Sequence, residues 1–246
     1  MRLPVRSIVI VAATILAACT GAFPQAQQSS SQTPAAQAPI PGGYIAIDPL
    51  ANVHYDNRYD VSLGMAYGHI MAGPTLTQGA NLGGLDLSAS YWLTKRWGLE
   101  GSGRGYAGTS GAAVNDVNSE GGPIKGPFIS QYMFLGGPEW LGPHNKHGAL
   151  IAHVLVGGTY GDFQKDLLGN PPADFDFYNN QVALAAAFGG HFELNRSARW
   201  VFRVTPDALF TRYSTTYSTP TTGIGAHTNW NFGISVGLEY KFKKKR

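Results

Sequence analysis

From Trp230 to Phe242 every second residue is large and apolar. Trp230, Phe232, Ile234, Val236, Leu238, Tyr240 and Phe242 alternate with Asn229, Asn231, Gly233, Ser235, Gly237, Glu239 and Lys241. A period of two puts the first set on one face of a β-strand and the second on the other. The second face decides the class of fold. A solvated sheet face usually carries many charges, whereas this one is mostly Asn, Gly and Ser. Apolar residues outward into lipid and small or polar residues inward is the pattern of a membrane-barrel strand.

Other segments repeat the pattern. Val61, Leu63, Met65 and Tyr67 alternate with Ser62, Gly64, Ala66 and Gly68, and Leu85, Leu87, Ala89 and Tyr91 with Asp86, Ser88 and Ser90. Between residues 97 and 107, Glu100, Ser102, Arg104 and Tyr106 share a face opposite Gly101, Gly103 and Gly105. Residues 128–135 form a fourth segment, and 149–158, apolar on both faces, a fifth. The sixth, 181–192, puts Ala and Gly inward; the seventh sets Trp200, Phe202 and Val204 outward against Arg203, Thr205 and Asp207. Pro206 lacks an N–H for the ladder, which predicts a bulge or bend there.

Composition agrees. Charged residues are 13% of the chain, about half the usual share, while Gly (32) and aromatics (12%) are abundant. No interior run approaches the roughly 20 apolar residues of a spanning helix. An open sheet edge in hydrocarbon would leave backbone groups unpaired, so strands in lipid must close on themselves. The sequence therefore predicts an all-β, closed antiparallel transmembrane barrel of about eight strands over residues 59–242.

The net charge of +3 comes from the ends. Setting aside Arg2, Arg6, Lys243, Lys244, Lys245 and Arg246 leaves 12 basic against 15 acidic residues. With no basic stripe carrying interleaved aromatics, nucleic acid is not expected as a partner. Residues 1–18 read as a signal peptide, with Arg2 and Arg6 before a short apolar run at 7–15. Leu16, Ala17, Ala18 and Cys19 resemble a bacterial lipobox. Two outcomes stay open: lipidation of Cys19, or cleavage nearby, for instance after Ala22, that discards it. Cys19 is the one cysteine in the chain, so no disulfide is expected in the barrel. Residues 19–58 read as a flexible periplasmic linker and pre-barrel segment, of which 44–57 could lie against the barrel rim. Residues 243–246 form a basic tail.

Residues 93–96 and 195–198 read as tight turns, and 109–125, 161–177 and 214–226 as long polar loops, the short-and-long alternation of an outer-membrane barrel. The connection at 136–147 is longer than a turn of that kind should be. At this point the sequence resembles a known group. The closing run from Phe232 to Phe242 looks like the C-terminal strand of the OmpA/OmpX-type small outer-membrane barrels. Tyr132 to Pro138 and Arg203 to Tyr213 are similar to middle and penultimate strands of that superfamily. The resemblance covers residues 59–242. It implies an outer-membrane location with both termini periplasmic, lipid as a partner, and recognition of Tyr240 and Phe242 by the barrel-insertion machinery. Lys243 to Arg246 after the terminal aromatic depart from the family pattern.

Two short motifs suggest enzyme chemistry. Gly233, Ile234, Ser235, Val236 and Gly237 fit a nucleophile elbow, but alternation runs unbroken through Ser235 and no helix follows. Gly103, Arg104, Gly105, Tyr106, Ala107 and Gly108 fit a dinucleotide fingerprint without the strand–helix–strand unit it requires. No catalytic residue, cofactor or metal is expected. His144 and His147 fall in a turn, and His69, His153 and His191 on separate strands, so solvated or interfacial histidines are expected. Asp162, Asp166, Asp174 and Asp176 make one outer loop acidic.

The inward charges carry the functional expectation. Glu100, Arg104, Arg203, Asp207 and Glu239, with Asp86 as a further candidate, should face a lumen that eight strands leave just wide enough for side chains. Buried charges must pair, which predicts an ion-pair network plugging the barrel. The expected role is structural or surface-interactive, with the long loops as the contact surface for an extracellular ligand. The alternatives are a small solute pore, a membrane-embedded lipid-modifying hydrolase, and a soluble sandwich.

Overall fold

The computed structural model describes residues 48–74, 79–110, 113–117, 123–163, 165, 167, 177–215 and 225–242. The signal peptide at 1–18, Cys19, most of the linker, Asp166, Asp174, Asp176 and the basic tail at 243–246 lie outside them.

Ten strands follow in order: β1 (Tyr59–Ile70), β2 (Ala80–Trp92), β3 (Trp97–Thr109), β4 (Ala113–Val117), β5 (Pro123–Lys125), β6 (Phe128–His144), β7 (Gly148–Asp162), β8 (Gln181–Asn195), β9 (Trp200–Thr215) and β10 (Gly225–Phe242). Eight of them close a barrel in the order β1-β10-β9-β8-β7-β6-β3-β2, while β4 and β5 pair with each other between β3 and β6. Closure is made by β1 on β10, from Tyr59 opposite Phe242 to His69 opposite Phe232. The barrel strands run 12 to 18 residues, above the roughly ten needed to cross a bilayer when tilted. Among the described residues no helix is long and apolar enough to cross a membrane.

Alternation in the sequence becomes inside and outside in the fold. Asp60, Ser62, Ala66 and Gly68 of β1 are buried in the lumen, while Tyr59, Leu63, Met65 and Tyr67 are exposed outside. The outer wall is apolar around its circumference, with Leu85, Leu87, Phe134, Val156, Val182, Leu184, Phe192 and Leu238 all exposed. In water so large a contiguous apolar surface would drive association; against hydrocarbon it is the stable face. Aromatics gird it at both ends. Tyr59 stands opposite both Tyr91 and Phe242, Trp97 opposite Trp140, and Trp200 opposite Tyr240. Toward the other end Tyr132 faces Tyr160, and Phe210 faces Trp230.

The three turns at the end of the barrel where β1 starts and β10 finishes are closed by their own side chains, as Thr, Asn and Ser do in tight turns. Thr94 Oγ1 accepts from the Trp97 N–H at 2.9 Å, Asn145 Oδ1 from the His147 and Gly148 N–H groups at 2.8 and 3.0 Å, and Ser197 Oγ from the Trp200 N–H at 3.1 Å.

Two expectations about breakers are corrected. The stretch at 136–147 is not a long connection: β6 runs on to His144, leaving residues 145–147 as the turn. Pro138 pairs with Leu99 on β3, while the ladder with β7 lapses beside it between Gly136 and Glu139 and resumes in the same register. Nor does Pro206 make a bulge. Its pairing with Ile234 on β10 is continuous, and the β8 ladder skips two positions without a shift. A proline lacks one N–H, so it interrupts one of its two ladders and the cooperative pairing around it holds the register. The irregularity lies instead between Leu141 and His144.

Candidate functional site

The lumen is divided into two halves of different chemistry. The half nearer Tyr59 and Phe242, where β1 starts and β10 ends, is charged. Every residue expected to face inward with charge does so and is buried: Asp86, Glu100, Arg104, Arg203, Asp207 and Glu239. The strands supply them from across the barrel, and the fold brings them together. Arg104 on β3 reaches Asp207 on β9 (Nη1–Oδ2 2.6 Å) and lies 3.6 Å from Asp86 on β2. Arg203 on β9 pairs with Glu100 on β3 (Nη2–Oε1 2.5 Å) and with Glu239 on β10 (Nη1–Oε2 3.4 Å).

His153 joins the two groups. Its Nδ1 lies 2.6 Å from Glu100 Oε2 and its Nε2 2.8 Å from Asp207 Oδ1. An ionised carboxylate can only accept, so with both carboxylates ionised both ring nitrogens donate and the ring is an imidazolium. The result is an unbroken chain from Arg104 through Asp207, His153, Glu100 and Arg203 to Glu239, with signs alternating along it. Hydroxyls complete it: Ser102 and Ser235 donate to the two Asp86 oxygens at 3.2 and 2.7 Å, and Arg203 Nε donates to Thr205 Oγ1 at 3.2 Å.

The expectation of solvated or interfacial histidines is thus corrected for His153 and His191, both buried in the lumen. His144 and His147 are exposed at the rim, and His69 is half-buried with Nδ1 2.9 Å from Asn81 Oδ1. Ser235 sits in an uninterrupted strand, hydrogen-bonded to a carboxylate, and residues 103–108 lie within β3. Neither motif has the turn-and-helix context its chemistry needs.

Sequence reasoning missed four lumen charges, besides the two histidines. Asp60, Glu139, Glu193 and Lys241 are buried, as is His191. Lys241 pairs with Glu193 and lies 3.8 Å from Glu239 Oε1; Glu139 accepts from Ser90 Oγ at 3.1 Å; Asp60 accepts from Trp92 Nε1 at 2.6 Å and from Asn57. Parity would have found most of them. Asp60 is in phase with Ser62, Lys241 with Glu239, and Glu193 with Asn195; Glu139 was hidden by the assumption that its strand stopped at Leu135. Among the described residues the lumen holds seven carboxylates against Arg104, Arg203 and Lys241 as permanent cations.

The half nearer the long loops is apolar. Tyr106, Leu82, Met133, Leu135, Leu155, Leu209 and Tyr213 point inward from five strands, and Phe163, Leu167, Phe177 and Tyr178 come in from the β7–β8 loop. Phe163 and Tyr178 both pack on Tyr213, at 5.3 and 5.5 Å between ring centroids. The polar tips are paired. Tyr213 Oη accepts from Gln131 Nε2 at 2.9 Å, and Tyr178 Oη meets Asn229 at 2.8 Å. Burial pushes the Tyr178 phenol pKa up. Asp162 of the acidic loop accepts from Asn180 Nδ2 at 3.0 Å.

Residues 48–58 cross the rim at the terminal end. Tyr55 accepts a hydrogen bond from Asn195 Nδ2 at 2.7 Å, and its ring lies 4.2 Å from Lys241 Nζ. Burial pushes its phenol pKa up. Lys146 from the β6–β7 turn reaches Asp48 at 3.3 Å.

Solved structures were compared with this architecture. The outer membrane protein OprG from Pseudomonas aeruginosa matches with a TM-score of 0.54 at 14% identity, over 78% of this chain and 99% of that one. The fold is that of a small outer-membrane barrel. Neisserial surface protein A matches at 0.45 and 11% identity, over 75% and 97% of the two chains. Ail, the attachment invasion locus protein of Yersinia pestis, matches at 0.42 and 15%, over 76% and 99%. No family model matches the chain, and no curated protein matches it in sequence. The likeness is therefore one of fold.

Proposed function

We propose that the protein is a plugged, non-enzymatic barrel of a Gram-negative-type outer membrane, with its termini periplasmic and its long loops as an external contact surface. The observation that carries this reading is the filling of the lumen from two directions, charged side chains in one half and an apolar, loop-capped cluster in the other. An ion crossing such a barrel would have to break the alternating-charge chain and then enter an apolar layer. Either step is costly by itself.

Placement in the outer membrane is supported by the apolar wall with aromatic girdles, by tight turns at one end against long loops at the other, and by the fold shared with OprG. Tyr240 and Phe242 pack edge to face at the end of the last strand, 5.0 Å between centroids, where the insertion machinery would read them. The test is conductance in a planar bilayer, with insertion checked separately by protease resistance. Inserted protein is expected to be electrically silent. Reproducible current steps would overturn the plug and favour a solute pore lined by Glu100, Arg104 and Arg203.

A further inference from the structure

The charged half of the lumen is not uniformly satisfied. Glu100 and His153 are fully engaged: one Glu100 oxygen takes Arg203, the other takes His153, and the second His153 nitrogen takes Asp207. Around them bonding is incomplete: Arg104 Nη2 and Glu139 Oε1 lack hydrogen-bond partners among the described residues, and so do His191 and Glu239. His191 is 1% exposed, yet among the described residues its Nδ1 has no hydrogen-bond partner, and its Nε2 is 3.8 Å from Glu193 Oε1. Glu239 is also 1% exposed, and among the described residues its Oε1 has no hydrogen-bond partner and lies 3.8 Å from the Lys241 ammonium. A buried imidazole and carboxylate left in this state require explanation, because an unpaired buried polar atom costs about 1–3 kcal/mol.

The geometry points to a transition-metal site formed by His191 and Glu193 on β8 and Glu239 on β10. One donor atom from each lies within 4.8 Å of the other two. Metal–ligand bonds of about 2.1 Å set tetrahedral donors about 3.4 Å apart, so small rotamer changes in two glutamates close the set. A second cluster, Glu100, His153 and His191, meets the same distance criterion. Its first two members are already committed to each other and to Arg203, which leaves the set of His191, Glu193 and Glu239 as the one with free lone pairs.

Charge favours the same conclusion. Seven lumen carboxylates, if all were ionised, would face three permanent cations, a deficit that an imidazolium at His153 would reduce by only one. A dication bound between Glu193 and Glu239 would reduce it further. The ligand chemistry selects the ion: an imidazole beside two carboxylates suits zinc and its neighbours in the first transition row, whereas magnesium and calcium prefer oxygen alone. Lys241 is the resident competitor. Its ammonium pairs with Glu193 and approaches Glu239, so metal binding must displace it toward the Tyr55 ring at the rim. Zinc and ammonium thus exclude one another, and the periplasmic end is the route of entry.

Zinc titration of the folded full-length protein in detergent micelles, followed by calorimetry and by X-ray absorption at the zinc edge, tests this. One zinc per barrel is expected, with a single imidazole among oxygen donors in its shell. His191→Gln and Glu239→Gln should each weaken binding at least ten-fold, with folding checked by the gel-mobility shift of heated against unheated protein. Lys241→Met should tighten binding at least ten-fold. Replacing the exposed rim histidines, His144→Gln with His147→Gln, should leave it unchanged. The inference is overturned if the folded protein binds no zinc, if His191→Gln and Glu239→Gln bind as before, or if the rim pair alone abolishes binding. Lys241→Met that binds no tighter would overturn the competition for one place.

Discussion

Replacing Arg203 by Ala should strip the charged half of the lumen of its central cation. Arg203 is 4% exposed, and its guanidinium bridges Glu100 at 2.5 Å and Glu239 at 3.4 Å, with Thr205 on its Nε. Removing one member of a buried pair costs about 3–5 kcal/mol, because the charge left behind has neither partner nor water. Here two carboxylates are left, both almost wholly buried, in a lumen already rich in acid, so the upper part of that range is expected. At about 1.4 kcal/mol per factor of ten, this corresponds to roughly a hundred- to several-thousand-fold loss in the folding equilibrium. The measurement is equilibrium unfolding in lipid vesicles by denaturant, followed by tryptophan fluorescence. Arg203→Ala combined with Glu100→Gln removes a cation and an anion together and should regain much of the loss, giving a coupling of at least about 1 kcal/mol in a double-mutant cycle. A loss under about 1 kcal/mol for Arg203→Ala, or no recovery in the pair, would refute the claim that these charges hold the barrel together.

Met65 lies mid-strand on the outer wall and is 76% exposed; Met65→Arg should cost about 2–4 kcal/mol in vesicles if that wall faces hydrocarbon, and a neutral result would argue for a wetted surface. A Cβ on Gly84 would fall 1.8 Å from the Gly105 carbonyl oxygen, whereas one on neighbouring Gly83 meets nothing within 4 Å. Gly84→Ala should therefore sharply reduce refolding yield, scored by gel mobility, while Gly83→Ala refolds normally; equal yields would show that β2 and β3 are not so closely apposed. Tyr55→Ala removes both the Asn195 hydrogen bond and the ring over Lys241. It should speed limited proteolysis of residues 48–58 without changing unfolding of the barrel, and unchanged cleavage would mean that Tyr55 does not anchor this segment.

Much of this molecule is legible one residue at a time. In a strand each side chain takes the face its position dictates, so counting by twos from Trp230 or Val61 correctly assigns inside and outside along most of the wall. The same counting places Glu100, Arg104, Arg203, Asp207 and Glu239 in the lumen. Where it failed, it did so at breakers. Gly136, Gly137 and Pro138 look like a loop in isolation, but pairing on both sides carries β6 through them to His144, and Glu139 was lost with the missing half-strand.

The sequence by itself determined the class of fold: strands, closure, an apolar wall and inward charge, because these follow from period two and from the demand that every backbone group in lipid be paired. Only the tertiary structure decided which charges meet. Arg203 is 103 residues from Glu100, and His153 is 53 residues from Glu100 and 54 from Asp207; their encounter depends on barrel order and stagger, which no local pattern encodes. The apolar half of the lumen was hidden for the same reason. An inward Leu or Tyr in one strand reads as an exception to the alternation, and becomes a core only when several strands and the β7–β8 loop bring theirs to the same level.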